Sequence, residues 1–136
     1  MKFTETTIEG LYIIEQNVSK DIRGAFVKNF NDEEFKAVGI ECDFKESYYT
    51  KSKEDVIRGM HFQNPPYDHS KLITVISGTI IDVVLDIRKD SKTYGKYFHI
   101  ELSRENRKSL FVPKGLAHGF GVLSEDAIAY YQVSST

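Results

Sequence analysis

The sequence is poor in several features that define large classes of proteins. It has a single cysteine, Cys42, so no disulfide can form within the chain and a disulfide-stapled secreted fold is excluded. No apolar run approaches the roughly 18 residues of a membrane span, and residues 1–5 lack the apolar core of a signal peptide. The net charge is only −2, which offers no basic field to nucleic acid or an anionic membrane. We expect a soluble, cytoplasmic protein without such partners.

What is present is the composition of an ordinary globular protein. Hydrophobic residues make up 40% of the 136 residues, and charged residues 28%. A chain of this length is expected to form one domain, residues 1–136, that buries a core of its own.

Short apolar runs and two-residue alternation, rich in Ile, Val, Tyr and Phe, predict an all-β protein of the jelly-roll type. One segment, 31–39, reads as a short helix near the N-terminus, because it has a polar start, acidic residues in its first turn and a glycine at its end. The predicted strands cover residues 10–15, 25–30, 46–51, 71–76, 79–87, 97–102, 109–112 and 127–132.

The strand at 79–87 is apolar on both faces and is therefore expected to be central. Asp82 and Asp86 are four residues apart and share one face. Since burial of a bare carboxylate is costly, we expect Asp86 to sit at the strand end and only Asp82 to point inward. The adjacent Tyr130 and Tyr131 must face opposite ways in a strand, and either could be a core residue.

Two segments concentrate polar side chains of chemical interest. In residues 58–66, strand alternation would put Met60 and Phe62 on one face and His61 and Gln63 on the other. The second segment, 113–120, contains His118 and is expected to form a turn before the last strand. Taken singly, such residues are more often structural than catalytic.

In order along the chain, these motifs resemble the dTDP-4-dehydrorhamnose 3,5-epimerases and related sugar-nucleotide epimerases of the cupin superfamily. The resemblance runs from about residue 10 to residue 131. It is carried by Asp21-x-Arg23-Gly24-x-Phe26, Arg58-Gly59-x-His61-Phe62-Gln63-x-Pro65-Pro66, Lys71-Leu72-x-x-Val75-x-x-Gly78, Asp82-Val83-x-x-Asp86-x-Arg88, Ser91-x-Thr93-x-Gly95, Leu102-Ser103-x-x-Asn106 and Pro113-x-Gly115-x-Ala117-His118-Gly119-Phe120.

The resemblance implies a cupin-type barrel without metal or cofactor. A metal-binding cupin needs about three histidines and a carboxylate around the ion, whereas Gln63 and Lys71 stand near His61 and His118. An ammonium group beside a divalent cation is repelled. We interpret His69 and His99 as surface or structural residues.

The resemblance also implies an isomerase that epimerises C3, C5 or both in a nucleotide-linked 4-keto-6-deoxyhexose, through an enolate, in deoxysugar and polysaccharide biosynthesis. In that chemistry His61 is the general base, Lys71 the cation beside the enolate oxygen and Tyr131 the acid on the opposite face. The family carries an aspartate beyond the position of Thr136 that orients the base. Asp82 is the candidate substitute for it in this sequence, which looks like a C-terminally short member.

The remaining residues carried over from the family bind the substrate. Arg58, Gln63 and His118 are expected to contact the sugar nucleotide, and Arg suits the diphosphate. Arg23 and Phe26 match a strand lent to the neighbouring subunit, which implies a homodimer with exchanged N-terminal strands. Two other functions stay open, a non-catalytic nucleotide-sugar-binding cupin and a sugar 3,4-ketoisomerase.

Overall fold

The structure, a computed structural model, describes residues 1–135. In this range the chain forms twelve strands and one helix: β1 (Lys2–Glu5), β2 (Tyr12–Glu15), β3 (Asn17–Asp21), β4 (Gly24–Lys28), α1 (Asp32–Ala37), β5 (Glu46–Lys53), β6 (Ile57–His61), β7 (Lys71–Ser77), β8 (Thr79–Asp86), β9 (Tyr97–Ser103), β10 (Lys108–Val112), β11 (Leu116–Val122) and β12 (Asp126–Val133). No helix in the described part of the chain has the length and apolar character to cross a membrane.

Antiparallel pairing arranges the strands in three sheets. A six-stranded sheet has the order β1-β2-β10-β7-β12-β5, a four-stranded sheet the order β6-β11-β8-β9, and β3 pairs with β4 as a separate hairpin. The main core lies between the two larger sheets and includes Ile73 and Tyr131 from one and Val84 and Phe120 from the other. The predicted all-β jelly-roll fold with one short helix is confirmed.

Two-residue alternation determines which side chains enter this core. Along β12 the buried positions are Ala127, Ala129, Tyr131 and Val133, and the intervening residues are more exposed. The alternation settles the orientation of the tyrosine pair, because Tyr131 faces inward and Tyr130 faces outward. The central position predicted for residues 79–87 is also confirmed, since β8 lies between β11 and β9.

The short helix covers the outer face of the six-stranded sheet. The Asn31 side chain caps it by accepting a hydrogen bond from the Glu34 backbone N–H at 3.0 Å. Its buried residue, Phe35, packs with Leu72 and Phe111 in a second apolar cluster.

The expectation of a turn at residues 113–120 is wrong for most of that segment. Leu116–Val122 forms β11, which pairs with both β6 and β8 inside the four-stranded sheet. Glycines at 119 and 121 weaken the strand signal in the sequence. Packing requires the first of them, because a Cβ on Gly119 would lie 2.8 Å from the Arg58 carbonyl oxygen.

The orientation of Asp86 also differs from the expectation. The residue ends β8 as expected, but its side chain is fully buried, like that of Asp82. Its carboxylate accepts hydrogen bonds from the Arg88 guanidinium at 3.0 Å, from the Ser91 hydroxyl at 2.7 Å and from the Thr93 hydroxyl at 2.5 Å. These four polar side chains satisfy one another, which is how the carboxylate can be buried.

The hydrogen bonds around Asp86 predict a pH dependence of stability. Burial alone would raise the pKa of Asp86, but the bonds from Arg88, Thr93 and Ser91 outweigh it and hold the pKa well below its usual range. A carboxyl whose pKa is lower in the folded than in the unfolded state stabilises the fold above its ordinary pKa near 3.9, and this contribution is lost as the pH falls further.

We therefore expect Asp86→Asn to lower the free energy of unfolding at pH 7 by about 3 kcal/mol, since it leaves a partly buried guanidinium without its anion. Its stability should also fall less steeply than that of the wild type below about pH 4. Urea unfolding at several pH values measures both effects. Asp90→Asn, at an exposed position in the same turn, is the control, and equal acid sensitivity of the Asp86→Asn protein and the wild type would contradict the assignment.

Candidate active site

A small cavity of about 140 Å³ lies between the two larger sheets. An adjoining cavity of about 410 Å³ shares Tyr48, His61 and Lys71 with it, and we treat the two as the inner and outer parts of one cleft. The inner part brings together residues from β5, β6, β7, β11 and β12, namely Tyr48, Thr50, Arg58, His61, Lys71, His118, Phe120 and Tyr131.

An irregularity in β6 places Arg58 and His61 in the same cavity. In a regular strand, residues three apart point to opposite faces. Opposite β11, however, His118 pairs with His61 and Phe120 pairs with Arg58, so three steps along β6 match two along β11. The extra residue is a β-bulge, and it turns both side chains into the cleft.

His118 and Asp82 form a buried pair at the inner wall of the cleft. His118 Nε2 and Asp82 Oδ2 are 2.8 Å apart, and both side chains are almost fully shielded from solvent. Burial raises the pKa of Asp82, while His118 and Lys71 act in the opposite direction. The sequence analysis expected Asp82 to orient His61, and this expectation is wrong. The Asp82 carboxylate contacts His118 and, within residues 1–135, makes no hydrogen bond to His61.

Lys71 brings a positive charge to the same cavity. It begins β7, where its side chain is partly buried and lines both parts of the cleft. Burial lowers its pKa, and the charge of Asp82 opposes that shift. An ammonium group in such a low-dielectric position interacts strongly with an anion that forms beside it.

Tyr131 is a buried phenol at the side of the cleft formed by the six-stranded sheet. Its ring stacks on that of Tyr48, with centroids 5.1 Å apart and planes at 20°, and meets the His118 ring edge-on at 6.3 Å. Burial and the nearby charge of Asp82 raise its pKa well above the ordinary value. The phenol is therefore protonated at neutral pH and has a proton to donate.

This chain matches the family model for dTDP-4-dehydrorhamnose 3,5-epimerase over residues 5–136. The chain belongs to the dTDP-4-dehydrorhamnose 3,5-epimerase family. The resemblance seen in the sequence motifs is confirmed, and with it the assignment to an isomerase family.

Individual relatives agree with the family model. The epimerase of Shigella flexneri is 40% identical over 136 residues, which cover 99% of this chain and 75% of the relative. A Bacillus anthracis epimerase with TDP and PPi bound has a TM-score of 0.95 and 37% identity, over 99% of this chain and 78% of the other. A Legionella pneumophila 3,5-epimerase in complex with dTDP-4-keto-L-rhamnose has a TM-score of 0.94 and 35% identity, over 99% of this chain and 72% of the other.

The other substrate-binding residues expected from the epimerase family do not all lie in the cleft. Gln63 lines its outer part, and so does His69, which was expected to be structural or at the surface. His99 is exposed on β9, in agreement with the interpretation of its sequence context. Arg23 and Phe26 lie instead on the β3–β4 hairpin, beside a separate cavity of about 530 Å³.

The residues of the cleft do not form a metal-ligand set. In the part of the chain that the structure describes, no group of three or more His, Cys, Asp and Glu side chains is placed to hold a metal ion. His118 is instead engaged by Asp82, and Lys71 lies in the same cavity.

Sequence reasoning missed the contribution of β5 to this site. Tyr48, Thr50 and Ser52 alternate along the strand, and the first two line the inner cavity. Ser52 is buried behind them, where its hydroxyl oxygen accepts a hydrogen bond from Arg58 Nε at 2.7 Å. Among residues 1–135 the two terminal nitrogens of the guanidinium make no hydrogen bond, so they can bind another partner. Alternation of polar residues at 48, 50 and 52 was the available signal.

We expect Ser52→Ala to weaken substrate binding by roughly tenfold, since hydrogen bonds to charged groups contribute about 1.5–3 kcal/mol. The loss should appear in KM rather than in kcat, because Arg58 is expected to bind the substrate and not to transfer a proton. Steady-state kinetics measure the split. Ser47→Ala, at an exposed position of the same strand, is the matched control, and an unchanged KM in the Ser52→Ala protein would refute the role.

Proposed function

We propose that this chain epimerises C3 and C5 of a dTDP-linked 4-keto-6-deoxyhexose, as a member of its family in dTDP-rhamnose biosynthesis. The observation that supports this most directly is the inner cavity, in which an imidazole, an ammonium group and a protonated phenol line one space of about 140 Å³. Those are the groups that proton exchange beside a ketone requires. The ligands of the Bacillus and Legionella proteins support a dTDP-linked substrate.

The first step is removal of a proton from the carbon next to the ketone. The His61 imidazole takes the proton and becomes an imidazolium. The electron pair of the broken C–H bond moves into the bond between that carbon and C4, and the C4 oxygen becomes an enolate oxygen. Lys71 stabilises this negative charge, which is why a partly buried ammonium group is suited to the position.

The second step returns a proton to the opposite face. The Tyr131 phenol donates it to the carbon, the ketone re-forms, and a phenolate remains. Burial and the charge of Asp82 make this phenolate less favourable. The positive charge of Arg58 acts in the opposite direction and stabilises it. Exchange with solvent restores the phenol and the neutral imidazole before the next turnover.

Arg58 and His118 hold the anionic part of the substrate in this proposal. Arg58 presents free guanidinium N–H groups once Ser52 has engaged its Nε. His118 is fixed by Asp82, so Asp82 acts through His118 as a positioning residue. Gln63, in the outer part of the cleft, contacts the sugar nucleotide nearer to solvent.

We expect His61→Ala to slow deuterium incorporation from D2O at C3 by at least ~10²-fold, the usual effect of removing a general base. Tyr131→Phe should retain exchange and lose inversion, because the His61 imidazolium exchanges its proton with D2O and returns a deuteron on the original face. NMR of dTDP-4-keto-6-deoxyglucose in D2O follows both events. Exchange at the wild-type rate in His61→Ala would overturn the assignment of His61 as the base. Absence of exchange in the wild type would indicate a non-catalytic binder. Formation of a 3-keto product would indicate a ketoisomerase.

We further infer that the β3–β4 hairpin completes the site of a second subunit. Each of its strands pairs only with the other among residues 1–135. Two of its apolar side chains are exposed, Ile22 fully and Phe26 to 68%. Exposed apolar groups on a projecting hairpin favour contact with another surface, and a second copy of the chain gives a closed dimer.

A mixing experiment tests the exchange of the hairpin. The double variant Arg23→Ala/Phe26→Ala and the variant His61→Ala should each have low activity. When the two are mixed and allowed to exchange subunits, about a quarter of the sites should be intact if the hairpin acts on the partner, because one site of each mixed dimer carries neither change. Activity that stays at the level of the separate variants, or a monomer in sedimentation at micromolar concentration, would refute the exchange. The cytoplasmic location expected from the lone cysteine stays a prediction.

A further inference from the structure

The Tyr48 and Tyr131 rings form a stacked pair at one side of the cleft. The two residues are direct cross-strand partners on β5 and β12, so the register of these strands brings their rings together. Tyr131 is only 5% exposed, while Tyr48 is 41% exposed and lines both parts of the cleft. Tyr48 thus covers one face of the Tyr131 ring on the side of the opening.

Two aromatic contacts define the plane of the Tyr131 ring. Tyr48 packs on its face, and His118 approaches it edge-on at an interplanar angle of 73°. His118 is itself held by Asp82. Removal of the Tyr48 ring would therefore free one face of Tyr131, while the other contact stays in place.

We propose that Tyr48 is a positioning residue for Tyr131, whose stacked ring commits the enolate to inversion rather than to simple exchange. The inference rests on the proposed function, in which Tyr131 is the acid. The carbanion carbon has two sources of a proton, the Tyr131 phenol on one face and the His61 imidazolium on the other. Transfer from the phenol forms the new C–H bond with inversion and leaves a phenolate, whereas transfer from the imidazolium restores the original configuration.

The partition between these two outcomes depends on how well the phenol oxygen is aimed. Proton transfer is sensitive to misplacement of the donor by an ångström or less. A ring held on one face only samples more orientations, so return of the proton from His61 gains over donation by Tyr131. Exchange at the substrate carbon continues in that case, because the His61 imidazolium exchanges with D2O before it returns a deuteron, and this requires no fixed Tyr131.

The decisive variants are Tyr48→Ala, which removes the stack, and Tyr48→Phe, which retains it without the hydroxyl. With dTDP-4-keto-6-deoxyglucose in D2O, we expect Tyr48→Ala to lower the ratio of inversion to exchange by roughly tenfold or more. Tyr48→Phe should keep the wild-type ratio. Tyr49→Ala is the matched control, because Tyr49 is the next residue of β5, is 69% exposed and pairs with Tyr130 on the outer face.

Three outcomes would overturn the proposal. An equal fall of inversion and exchange in Tyr48→Ala would show that the ring serves only as a wall of the cleft. An unchanged ratio would show that His118 alone holds Tyr131. Loss of inversion in Tyr48→Phe would assign the effect to the Tyr48 hydroxyl. If Tyr48→Ala does not fold, Tyr48→Leu fills much of the volume without an aromatic face and gives the same test.

A second readout needs no activity and separates this proposal from the proposed function. In protein with 13C-labelled tyrosine, a clamped Tyr131 ring should flip slowly and give distinct NMR signals for its two edges. Tyr48→Phe should preserve them, and Tyr48→Ala should average them. Averaged signals in the wild type would overturn the proposal that Tyr48 positions Tyr131, even if the enzyme inverts its substrate. Distinct signals in a wild type that shows no exchange would refute the proposed function alone.

Discussion

The close approach of β6 to its neighbour β11 is the constraint on which the rest of the site depends. A Cβ on Gly59 would lie 2.6 Å from the Gly119 Cα, and one on Gly119 would lie 2.8 Å from the Arg58 carbonyl oxygen. Because neither glycine carries a side chain, the two backbones can approach at the point where β6 has its extra residue. That bulge directs Arg58 and His61 toward one cavity, and β11 brings His118 to the same place.

Electrostatics explains why this cavity can contain so many polar groups. Asp82 is a fully buried carboxyl group. Burial of its ionised form would cost free energy without the hydrogen bond from His118 and the nearby positive charge of Lys71. The same carboxylate opposes ionisation of Tyr131, while burial weakens the hold of Lys71 on its proton. The charge of Asp82 favours the protonated forms of both the phenol and the ammonium group, although Asp82 lies behind the groups that would touch a substrate.

Local patterns predicted those parts of the fold that depend on local chemistry. Alternation located β5, β7, β8 and β12, and the capping pattern at Asn31 located α1. The failures share a different cause, which is that they depend on contacts between distant segments. The strand at Leu116–Val122 forms because it pairs with a neighbouring strand on each side. The β8–β11 register determines that Asp82 meets His118. Ser52 contributes to the site only through its hydrogen bond with Arg58. Family resemblance made His61, Lys71 and Tyr131 candidates, and the structure shows that all three line one cavity.

The base of the proposed reaction lies on an edge strand and the acid on a central strand. His61 ends β6, a short edge strand whose five residues are all exposed, whereas Tyr131 lies on β12, paired on both sides inside the largest sheet. Edge strands open by local fluctuations, while central strands open only when the whole fold does. Backbone amides of β6 should consequently exchange with solvent long before those of β12. On heating, the enzyme would then lose activity when β6 frays, while most of its secondary structure persists. Inactivation would therefore occur at a lower temperature than global unfolding.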